Sequence, residues 1–592
     1  MNKLLLKVLF GVVITAAVSL LTACNGDEKS PLNANKLNIR IETPANSLNP
    51  LLPGTGQARY VSSDVFQTLG YFDPQTLELM PLMIKAIPAP VKVQNGAYAG
   101  ALAYEFELLD AAQWDNGTPV TAEDVAFTLK LVFNPLLKTD IWRSYFELLQ
   151  GFENDASNPK KFTIYLKSYY FLGVESICNL PIFPAYHYDP SGWLKGISVN
   201  DLIDPSKAEN LTKNSPELQQ LSEQFSQPAY STDISKISGC GPYRVTFFDP
   251  SQGAILVKKT KWWGDALAAQ YPGLAGRPDT IQYKLVKAED AAVNMLRTQE
   301  TDVISGLQPA NFVELQKDPA ISQNYEFVTH WGTLYNRIIM NMRDPVLSDK
   351  NVRQALSQLV NYDELIKEVQ QGLAQRIVGP VNPSKSYYAK DIPLYQLEVE
   401  KARALLAASG WTDSDGDGVM DKIIKGKKTD LVLTLLNTSG HAVSDMIGAG
   451  FKNSCAKAGV KIEIKGVELP TLTKETQAGN YQLAAVAAGM QPTWVELYQY
   501  YHSHSLVPHG DNRTGIAVPE LDQLIEQIRT TEDPAARTPL YIKAQEILHD
   551  QCPEIFLYAP VFRFALHKRF EHTLTAVPPA FIPRAAKLKA AQ

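Results

Sequence analysis

The chain of 592 residues is too long for one compact hydrophobic core, so two or more lobes are expected. Its hydrophobic content of 45% and charged content of 20% are ordinary for a globular protein. A net charge of −6, from 56 basic and 62 acidic residues, gives no electrostatic reason to bind nucleic acid. We therefore exclude nucleic acid as a partner.

The N-terminus has the pattern of an export signal. Lys3 and Lys7 accompany an apolar run, Val8 to Leu20, that is short for a membrane span and typical of a secretory signal. The next residues, Leu-Thr-Ala-Cys, resemble the lipobox of bacterial lipoproteins, where the peptide is cut before a cysteine that receives lipid. We predict a signal peptide over 1–23, lipid on Cys24 and a polar tether over 24–36. A plain signal peptide with a chance cysteine is the alternative.

The rest of the chain alternates strand-like runs with amphipathic helices, which indicates a mixed α/β protein. A strand is predicted at Leu37–Pro44. A helix follows Thr121, with Asp124 as the return partner of a capping box. Another strand is predicted at Lys161–Tyr170, and a hairpin turns at Asp249–Gly253.

The alternation continues in the second half of the chain. Ser348 is predicted to cap a helix, and Lys401–Ser409 forms another helix that Gly410 ends. The apolar run Asp430–Thr438 is predicted to be a buried strand.

Four further cysteines are Cys178, Cys240, Cys455 and Cys552. An exported chain meets oxidising conditions, so disulfides are permitted, and four cysteines allow three pairings. Four buried free thiols are the alternative. None of the four has the CxxC or Cys/His spacing of a zinc site.

The stretch "DSDGDGVMD", which begins at Asp413, has the acidic spacing of the first part of an EF-hand loop. Position 12 of that loop is Ile424, where an EF-hand needs a bidentate glutamate, and a turn and a strand follow in place of the second helix. The sequence therefore predicts a turn before a strand. A structural calcium ion held by Asp413, Asp415, Asp417 and Asp421 is kept as a further hypothesis.

Several motifs follow one another in a fixed order: "QWDNGTPVTAEDVAFTLK", "GCGPYRV" with "KKTKWWG", "DKNVRQALSQLVNYDELI" and "EKARALLAASGW". Together they resemble the extracytoplasmic solute-binding proteins that serve peptide and nickel ABC importers, solute-binding family 5. The resemblance runs over roughly residues 37 to 565. It implies a type II periplasmic-binding-protein-like α/β fold of Venus-flytrap type, with two jaws and an additional inserted lobe.

Transferred to this chain, the family layout gives three lobes. Lobe I would comprise 36–69, 181–284 and 556–592, lobe II would be the insertion 70–180, and lobe III would comprise 285–555. On this layout Cys178 and Cys240 lie near one another around lobe I, and Cys455 and Cys552 both lie in lobe III. The resemblance therefore favours disulfides 178–240 and 455–552.

The resemblance also implies a function without catalysis. The expected protein is a monomeric receptor, lipid-anchored outside the cytoplasm, in the periplasm or at the cell surface. It would capture a small solute, peptide or peptide-like, between its jaws and deliver it to the permease subunits of an ABC importer. No cofactor is required.

Family peptide binders pair the ligand ammonium with an aspartate of lobe III, but the corresponding segment here has no acid between Gln482 and Glu496. The ligand is therefore expected to be neutral, anionic, or a peptide held differently. The resemblance points to ligand contacts from Trp142, Arg143, Tyr145, Gly489, Met490, Gln491, Trp494 and Tyr498, and less strongly from Tyr335 and Asn336. Arg143 suits an anion through bidentate pairing. Core packing is the alternative for each aromatic residue.

Three other functions stay open. No G-x-S-x-G, H-E-x-x-H or Cys/His signature recommends an exported enzyme. The segment "HSHSLVPHGD" could gather His502, His504, His509 and Asp511 around a transition metal, so a receptor for metal, metal chelate or haem is the main alternative. Solvated loop histidines are nevertheless the expectation there. An exported binding protein without a transport role, such as a chaperone or adhesin, is also compatible with the sequence.

Overall fold

The structure, a computed structural model, describes residues 35–440, 442–491, 493–508 and 510–590. The predicted signal peptide, the predicted lipidation site Cys24 and most of the predicted tether lie outside the described residues, as does His509. In the described part of the chain, no helix is long and apolar enough to cross a membrane.

One mixed β-sheet runs through the molecule and divides into two halves. Across the described residues it joins twelve strands, and the long strand Glu554–His567 belongs to both halves. The first half also contains Lys36–Ile41, Tyr243–Asp249, Gly253–Lys258, Thr280–Leu285, Val303–Ser305 and Tyr325–Trp331. The second half also contains Leu334–Met340, Ala374–Gln375, Val432–Thr438, Lys461–Val467 and Leu483–Gly489.

The two halves of the sheet are the cores of two jaws. We call residues 35–331 and 562–590 the first jaw, and residues 334–559 the second jaw. The segment 289–331, which the family layout gives to lobe III, contributes its two strands to the sheet of the first jaw. Lobe II is represented by a separate four-stranded sheet attached to the first jaw, with strands Val91–Lys92, Leu102–Glu107, Lys161–Leu166 and Leu149–Asn154.

Helices and short hairpins cover these sheets. The helices of the first jaw are Gly56–Ser62, Ala122–Phe133, Asp140–Tyr145, Gly173–Cys178, Ala185–Tyr188, Val199–Ile203, Pro205–Asn214, Pro216–Phe225, Ala229–Thr232, Glu289–Arg297, Pro309–Leu315 and Pro319–Ser322. Those of the second jaw are Lys350–Ser357, Tyr362–Glu364, Val399–Ala408, Ala442–Ala456, Leu469–Ala478, Tyr498–Tyr501, Pro519–Thr530 and Pro534–Gln551. The two-stranded pairs are Gly70–Phe72 with Leu79–Pro81, Asp421–Ile424 with Lys427–Asp430, and Phe570–Glu571 with Lys587–Leu588.

Local sequence signals explain several of these elements. Asp124 Oδ2 accepts a hydrogen bond from the Thr121 backbone N–H at 2.9 Å, which confirms the predicted capping box. The hairpin turn is confirmed, since Asp249 pairs directly with Gly253. The Ser348 cap was wrong: the Asp349 carboxylate accepts from the Asn351 N–H at 2.9 Å, one residue further on.

The predicted disulfides were also wrong, because all four described cysteines are buried free thiols. Cys240 Sγ lies 3.3 Å from the Met83 sulfur, and Cys552 Sγ lies 2.8 Å from the Ser357 hydroxyl. Each thiol therefore packs against a neighbour other than the cysteine with which it shares a region. Burial raises the pKa of the Cys552 thiol to about 11, so it stays protonated at neutral pH.

The chain crosses between the jaws at two adjacent points. One is the connection Trp331–Gly332–Thr333, and the other is the middle of the long strand, where Val561 pairs with Trp331. A Cβ atom added at Gly332 would lie 1.9 Å from the ring of Phe562, so glycine is the residue that lets the two crossings lie side by side. This paired crossing is where a hinge motion between the jaws would occur.

Candidate ligand-binding site

The segment 489–499 of the second jaw faces the first jaw directly. It follows the strand Leu483–Gly489 and leads into the helix Tyr498–Tyr501. Gln491 Nε2 lies 3.5 Å from the Tyr145 hydroxyl of the first jaw, and Gln499 Nε2 donates to the Ser144 hydroxyl at 2.8 Å. The structure thus brings Tyr145 and Gln491 together across the interface, as expected of residues that line a cleft between jaws.

A small cavity lies beside this segment, close to the hinge. It holds about 40 Å³, enough for one or two water molecules and far below the several hundred Å³ of a typical ligand pocket. The residues that line it are Leu77, Trp331, Gly332, Thr333, Asn382, Ser384, Lys385, Met490, Gln491, Val495 and Ala576. A peptide-sized ligand therefore has to separate the jaws here and replace some of their direct contacts.

Two predicted residues of lobe II have contacts within the first jaw. Trp142 donates its indole N–H to the Pro50 carbonyl at 3.3 Å. The Arg143 guanidinium donates to the Asn134 carbonyl at 2.8 Å and forms an ion pair with Asp140 on its own helix. In this arrangement Arg143 connects its helix to the end of the preceding helix, Ala122–Phe133, and the structure does not bring it to Gln491.

The remaining predicted residues of the second jaw differ in their exposure to the cleft. Met490 is buried and its backbone N–H donates to the Thr333 carbonyl at 2.6 Å, beside the cavity. Gly489 is exposed, and a Cβ atom added there would meet open space. Trp494 stacks on Tyr387 with the ring centroids 4.4 Å apart, so this indole packs within the second jaw.

Tyr498 and the two weaker candidates also have contacts within the second jaw. The Tyr498 ring stacks on His502 at 4.2 Å and lies under the Arg529 guanidinium. Tyr335 is almost fully buried, with its hydroxyl 3.3 Å from that of Tyr501, and Asn336 pairs with its neighbours inside the sheet. The core-packing alternative therefore describes the contacts of Tyr335.

A carboxylate of the second jaw anchors the interface. Glu496 is 2% exposed; its Oε2 accepts the Tyr170 hydroxyl of the first jaw at 2.5 Å and lies 3.3 Å from Arg529 Nε. Phe171 adds a backbone bond, donating its N–H to the Arg529 carbonyl at 3.0 Å. Tyr170, Phe171 and Leu172 also share an apolar core with residues of the second jaw. These contacts tie the jaws together without a ligand.

A second carboxylate lies on the opposite jaw. Glu175, on the helix Gly173–Cys178, accepts a hydrogen bond from the Thr493 hydroxyl at 2.7 Å. Burial raises its pKa to about 7, while the Thr493 hydrogen bond and the charges of Arg537 and Lys385 act in the opposite direction. A substantial fraction of this carboxyl therefore carries a proton at neutral pH.

Sequence reasoning missed Tyr170, Glu175, Thr493 and Arg529. One signal was available: Glu175 is the single charged residue in the apolar run 169–183. A lone acid in such a run indicates a carboxylate that the fold must bury beside a polar partner. The identity of that partner, on the other jaw, depends on docking of the two jaws and has no local signal.

The comparison with known families identifies the chain. The pattern of the bacterial extracellular solute-binding proteins, family 5 Middle, matches residues 98–506. The chain belongs to this family. Its proteins bind solutes outside the cytoplasm, and this chain is a solute-binding protein with the type II periplasmic-binding-protein-like fold that the motifs predicted.

Individual relatives agree with this membership. The oligopeptide-binding protein AppA of Bacillus subtilis is 24% identical over 479 residues, which cover 80% of this chain and 78% of AppA. Its structure in complex with a nonapeptide superposes with a TM-score of 0.74 at 20% identity, over 94% of this chain and 99% of AppA. The structure of NikZ from Campylobacter jejuni with Ni(L-His) gives a TM-score of 0.71 at 18% identity, over 91% and 95% of the two chains. At these identities the two structures establish the fold.

Among the described residues of the histidine segment, the predicted metal ligands are not brought together. Asp511 is paired with Arg513 at 2.7 Å, and His502 is buried under Tyr498 with its Nε2 3.4 Å from Glu526. His504 is exposed, as expected for a loop, but the expectation that His502 is solvated was wrong. The reason is that the short helix Tyr498–Tyr501 turns His502 back onto its own aromatic face.

The Asp/Gly-rich stretch forms the predicted turn before the hairpin Asp421–Ile424 with Lys427–Asp430. Over the described ranges, Asp413, Asp415 and Asp421 are the one group of three or more His, Cys, Asp or Glu side chains near enough to share a metal ion. The Lys428 ammonium forms an ion pair with Asp415 and lies 3.5 Å from Asp421. Asp417 accepts the N–H of Val419 and stands apart from that group.

Proposed function

We propose that the protein is the substrate-binding receptor of an ABC importer, which captures a peptide or peptide-like solute between its jaws and delivers it to a membrane permease. One observation carries the proposal: the segment 489–499 meets the first jaw beside a hinge and around a cavity of about 40 Å³. On a chain of this family, that is the geometry of a cleft that can open and close over a solute.

The relatives support the choice of solute class. AppA binds a nonapeptide, and AppA is similar to this chain over most of both lengths. The residues that line the cavity supply amide groups, the Asn382 and Gln491 side chains among them, that an opened cleft would present to a peptide. Main-chain and amide groups bind an extended peptide through hydrogen bonds that do not depend on its side chains.

The proposed receptor is also anchored to the membrane by a lipid. A lipid on Cys24 would hold the receptor near its permease and raise its local concentration there. Binding leaves the solute chemically unchanged, and the receptor acts as a monomer. An exported binding protein without a transport role makes the same binding prediction, but its deletion would leave uptake of the recovered solute intact.

Native mass spectrometry of protein purified without refolding tests the binding step. We expect a protein monomer with small peptides retained, and their masses should match intact peptides in the extract. A preparation that retains and binds no peptide would contradict the proposal. Cys24→Ala should move the protein from the membrane fraction to the soluble one, and continued membrane association of that variant would refute the lipid anchor.

A receptor for a metal chelate is the second candidate, and a pair of histidines favours it. His330 and His572 line a groove of about 530 Å³ that adjoins the cavity through Leu77 and Ala576. Among the described residues, His572 Nδ1 is buried without a hydrogen-bond partner. Imidazole nitrogens of this kind suit a transition metal carried by an organic chelator. Metal analysis of gently purified protein, with His572→Gln as the variant, separates this candidate from peptide binding.

A further inference from the structure

Glu175 holds an unusual position for a carboxylate. It lies between the jaws, yet its hydrogen-bond partner is the neutral hydroxyl of Thr493, at 2.7 Å. Over the described ranges, no lysine, arginine or histidine nitrogen lies within 4.0 Å of the Glu175 carboxylate. The Glu175 side chain is half-buried, and a carboxylate that loses part of its water without gaining a cation is disfavoured, so burial raises its pKa to about 7.

The nearest positive charges do not neutralise Glu175 by direct contact. Arg537 acts on it through space, but donates its N–H groups to the Thr531 and Glu532 carbonyls and to the Tyr169 hydroxyl. Lys385 also acts through space, and it lines the cavity beside Gln491. Glu175 therefore lies in a positive electrostatic potential, but none of the described cationic groups contacts its carboxylate oxygens.

The facing segment of the second jaw supplies no other acid for that role. The segment between Gln482 and Glu496 contains no Asp or Glu, and Glu496 itself lies 3.3 Å from the Arg529 guanidinium. A cationic group that enters between the jaws at the 489–495 segment thus meets one carboxylate without a close cation, and it belongs to the first jaw.

We propose that Glu175 is the binding residue for a primary ammonium group of the ligand, which takes the position of the Thr493 hydroxyl when the jaws close on it. The inference rests on the proposed function and deepens it, because it assigns the charge that the ligand carries at this point. An ammonium offers three donors and a full charge, and charge-assisted hydrogen bonds are roughly twice as strong as neutral ones. The ligand thereby gains contacts in the closed arrangement that the bare jaws lack, which is what shifts an open–closed equilibrium.

The test uses the full chain and two matched probes: an equimolar pool of tripeptides with free amino termini, and the same pool N-acetylated. We expect wild-type protein to retain the free-amine pool at least about tenfold more strongly in native mass spectrometry. Glu175→Gln should lose that preference while its weak retention of the acetylated pool stays the same. Glu105→Gln, an exposed glutamate on the sheet of the inserted lobe, is the matched control and should keep the preference.

Calorimetry with the most strongly retained tripeptide adds a readout that a structural role would not change. Binding of an ammonium should ionise Glu175 fully, so wild-type protein should release a fraction of a proton at pH 7, seen as a dependence of the binding enthalpy on the buffer. Glu175→Gln should release none. Thr493→Val, which keeps the carboxylate and removes the hydroxyl, should retain the preference for free amines.

The outcomes separate the two proposals. Equal retention of free and acetylated pools by wild-type protein, or an unchanged preference in Glu175→Gln, overturns the role of Glu175 and leaves peptide binding intact. Loss of the preference in Thr493→Val overturns it as well, because the jaw contact and not the charge would then set the preference. Retention of neither pool overturns both the inference and the proposed peptide receptor.

Discussion

Glu496 and Glu175 lie on opposite jaws at the same interface, and each accepts a hydrogen bond from a hydroxyl of the other jaw. They differ in what neutralises them. Glu496 has Arg529 beside it as well as Tyr170, whereas Glu175 has Thr493 and only distant cations. The first arrangement is a satisfied ion pair that fastens the jaws. The second carries an electrostatic cost that a ligand can remove, and strain of this kind is typical of binding sites.

Breaking the satisfied pair should have the largest effect. Arg529→Met removes the cation and leaves the Glu496 carboxylate buried with two neutral partners, the Tyr170 hydroxyl and the Tyr498 backbone N–H. We expect the free energy of unfolding to fall by about 3 kcal/mol, since an uncompensated buried charge is strongly destabilising. Chemical denaturation measures it. Arg403→Met is the control, because its partner Glu400 is exposed and such pairs contribute little. Equal losses in the two variants would contradict the distinction between the pairs.

Replacing Glu175, the carboxylate without a close cation, should raise the free energy of unfolding and not lower it. The pKa of Glu175 is about 7 in the fold against an ordinary 4.5, so between these pH values the folded protein holds a proton that the unfolded chain has released. The stability that this group contributes is therefore fully present below pH 4.5 and is lost as the pH rises through about 7. Glu175→Gln should stabilise the protein by about 1–3 kcal/mol at pH 8.

The pH dependence provides the control for that prediction. At pH 5 glutamine replaces a mostly protonated carboxyl of the same shape, so the melting temperatures of Glu175→Gln and wild-type protein should nearly coincide. Glu496→Gln should be destabilised at both pH values, since Arg529 then keeps only the exposed Glu147 as a counter-charge. If Glu175→Gln is less stable than wild-type protein at pH 8, the Glu175 carboxylate stabilises the fold as Glu496 does, and the predicted difference between the two carboxylates is wrong.

The fold could be predicted from the sequence, but the interface between the two jaws could be predicted only in part. The capping box at Thr121 and Asp124 and the turn at Asp249 depend on residues a few positions apart, so they could be read locally. The family motifs supplied the arrangement of two jaws and pointed to Tyr145 and Gln491 as ligand contacts, and the structure brings these two within 3.5 Å of each other. Trp142 and Arg143, by contrast, make their hydrogen bonds within the first jaw. They share a helix with Tyr145, but the direction in which each faces is set by how that helix docks.

Other misses have the same physical origin. A layout of lobes places cysteines in a common region, whereas a disulfide needs a sulfur–sulfur contact of about 2 Å, which lobe boundaries do not specify. Cys240 instead contacts Met83. The polar partners of Glu175 and Glu496 come from 318 and 326 positions away along the chain, and no pattern of nearby residues encodes them. The cap at Asp349 was missed because Ser348 and Asp349 are adjacent and the side chain of either type of residue can cap a helix.

Removing one hydroxyl from each site should give smaller effects that differ in their pH dependence. Thr493→Val deletes a hydrogen bond that lowers the pKa of Glu175, so that pKa should rise further, with a loss of about 1 kcal/mol confined to the alkaline side. Tyr170→Phe should cost about 1 kcal/mol at both pH 6 and pH 8, because Arg529 remains beside Glu496. Thermal melts across this range measure both. A pH-independent loss in Thr493→Val would contradict the assignment of the shift to Glu175.

The Asp/Gly-rich turn extends the comparison to carboxylates at the surface and should give the smallest effect. Lys428 occupies the position next to Asp415 and Asp421 that a calcium ion would need, so the protein's own ammonium competes with the metal. Lys428→Met removes the competitor. At 5 mM calcium we expect that variant to gain about 1 kcal/mol of stability, the value for a site with a dissociation constant near 1 mM, and wild-type protein to gain less. Lys422→Met, a lysine of the same hairpin, is the control. If calcium stabilises wild-type protein and Lys428→Met equally, the ammonium does not compete at this site. If calcium stabilises neither protein, the three aspartates do not form a calcium site.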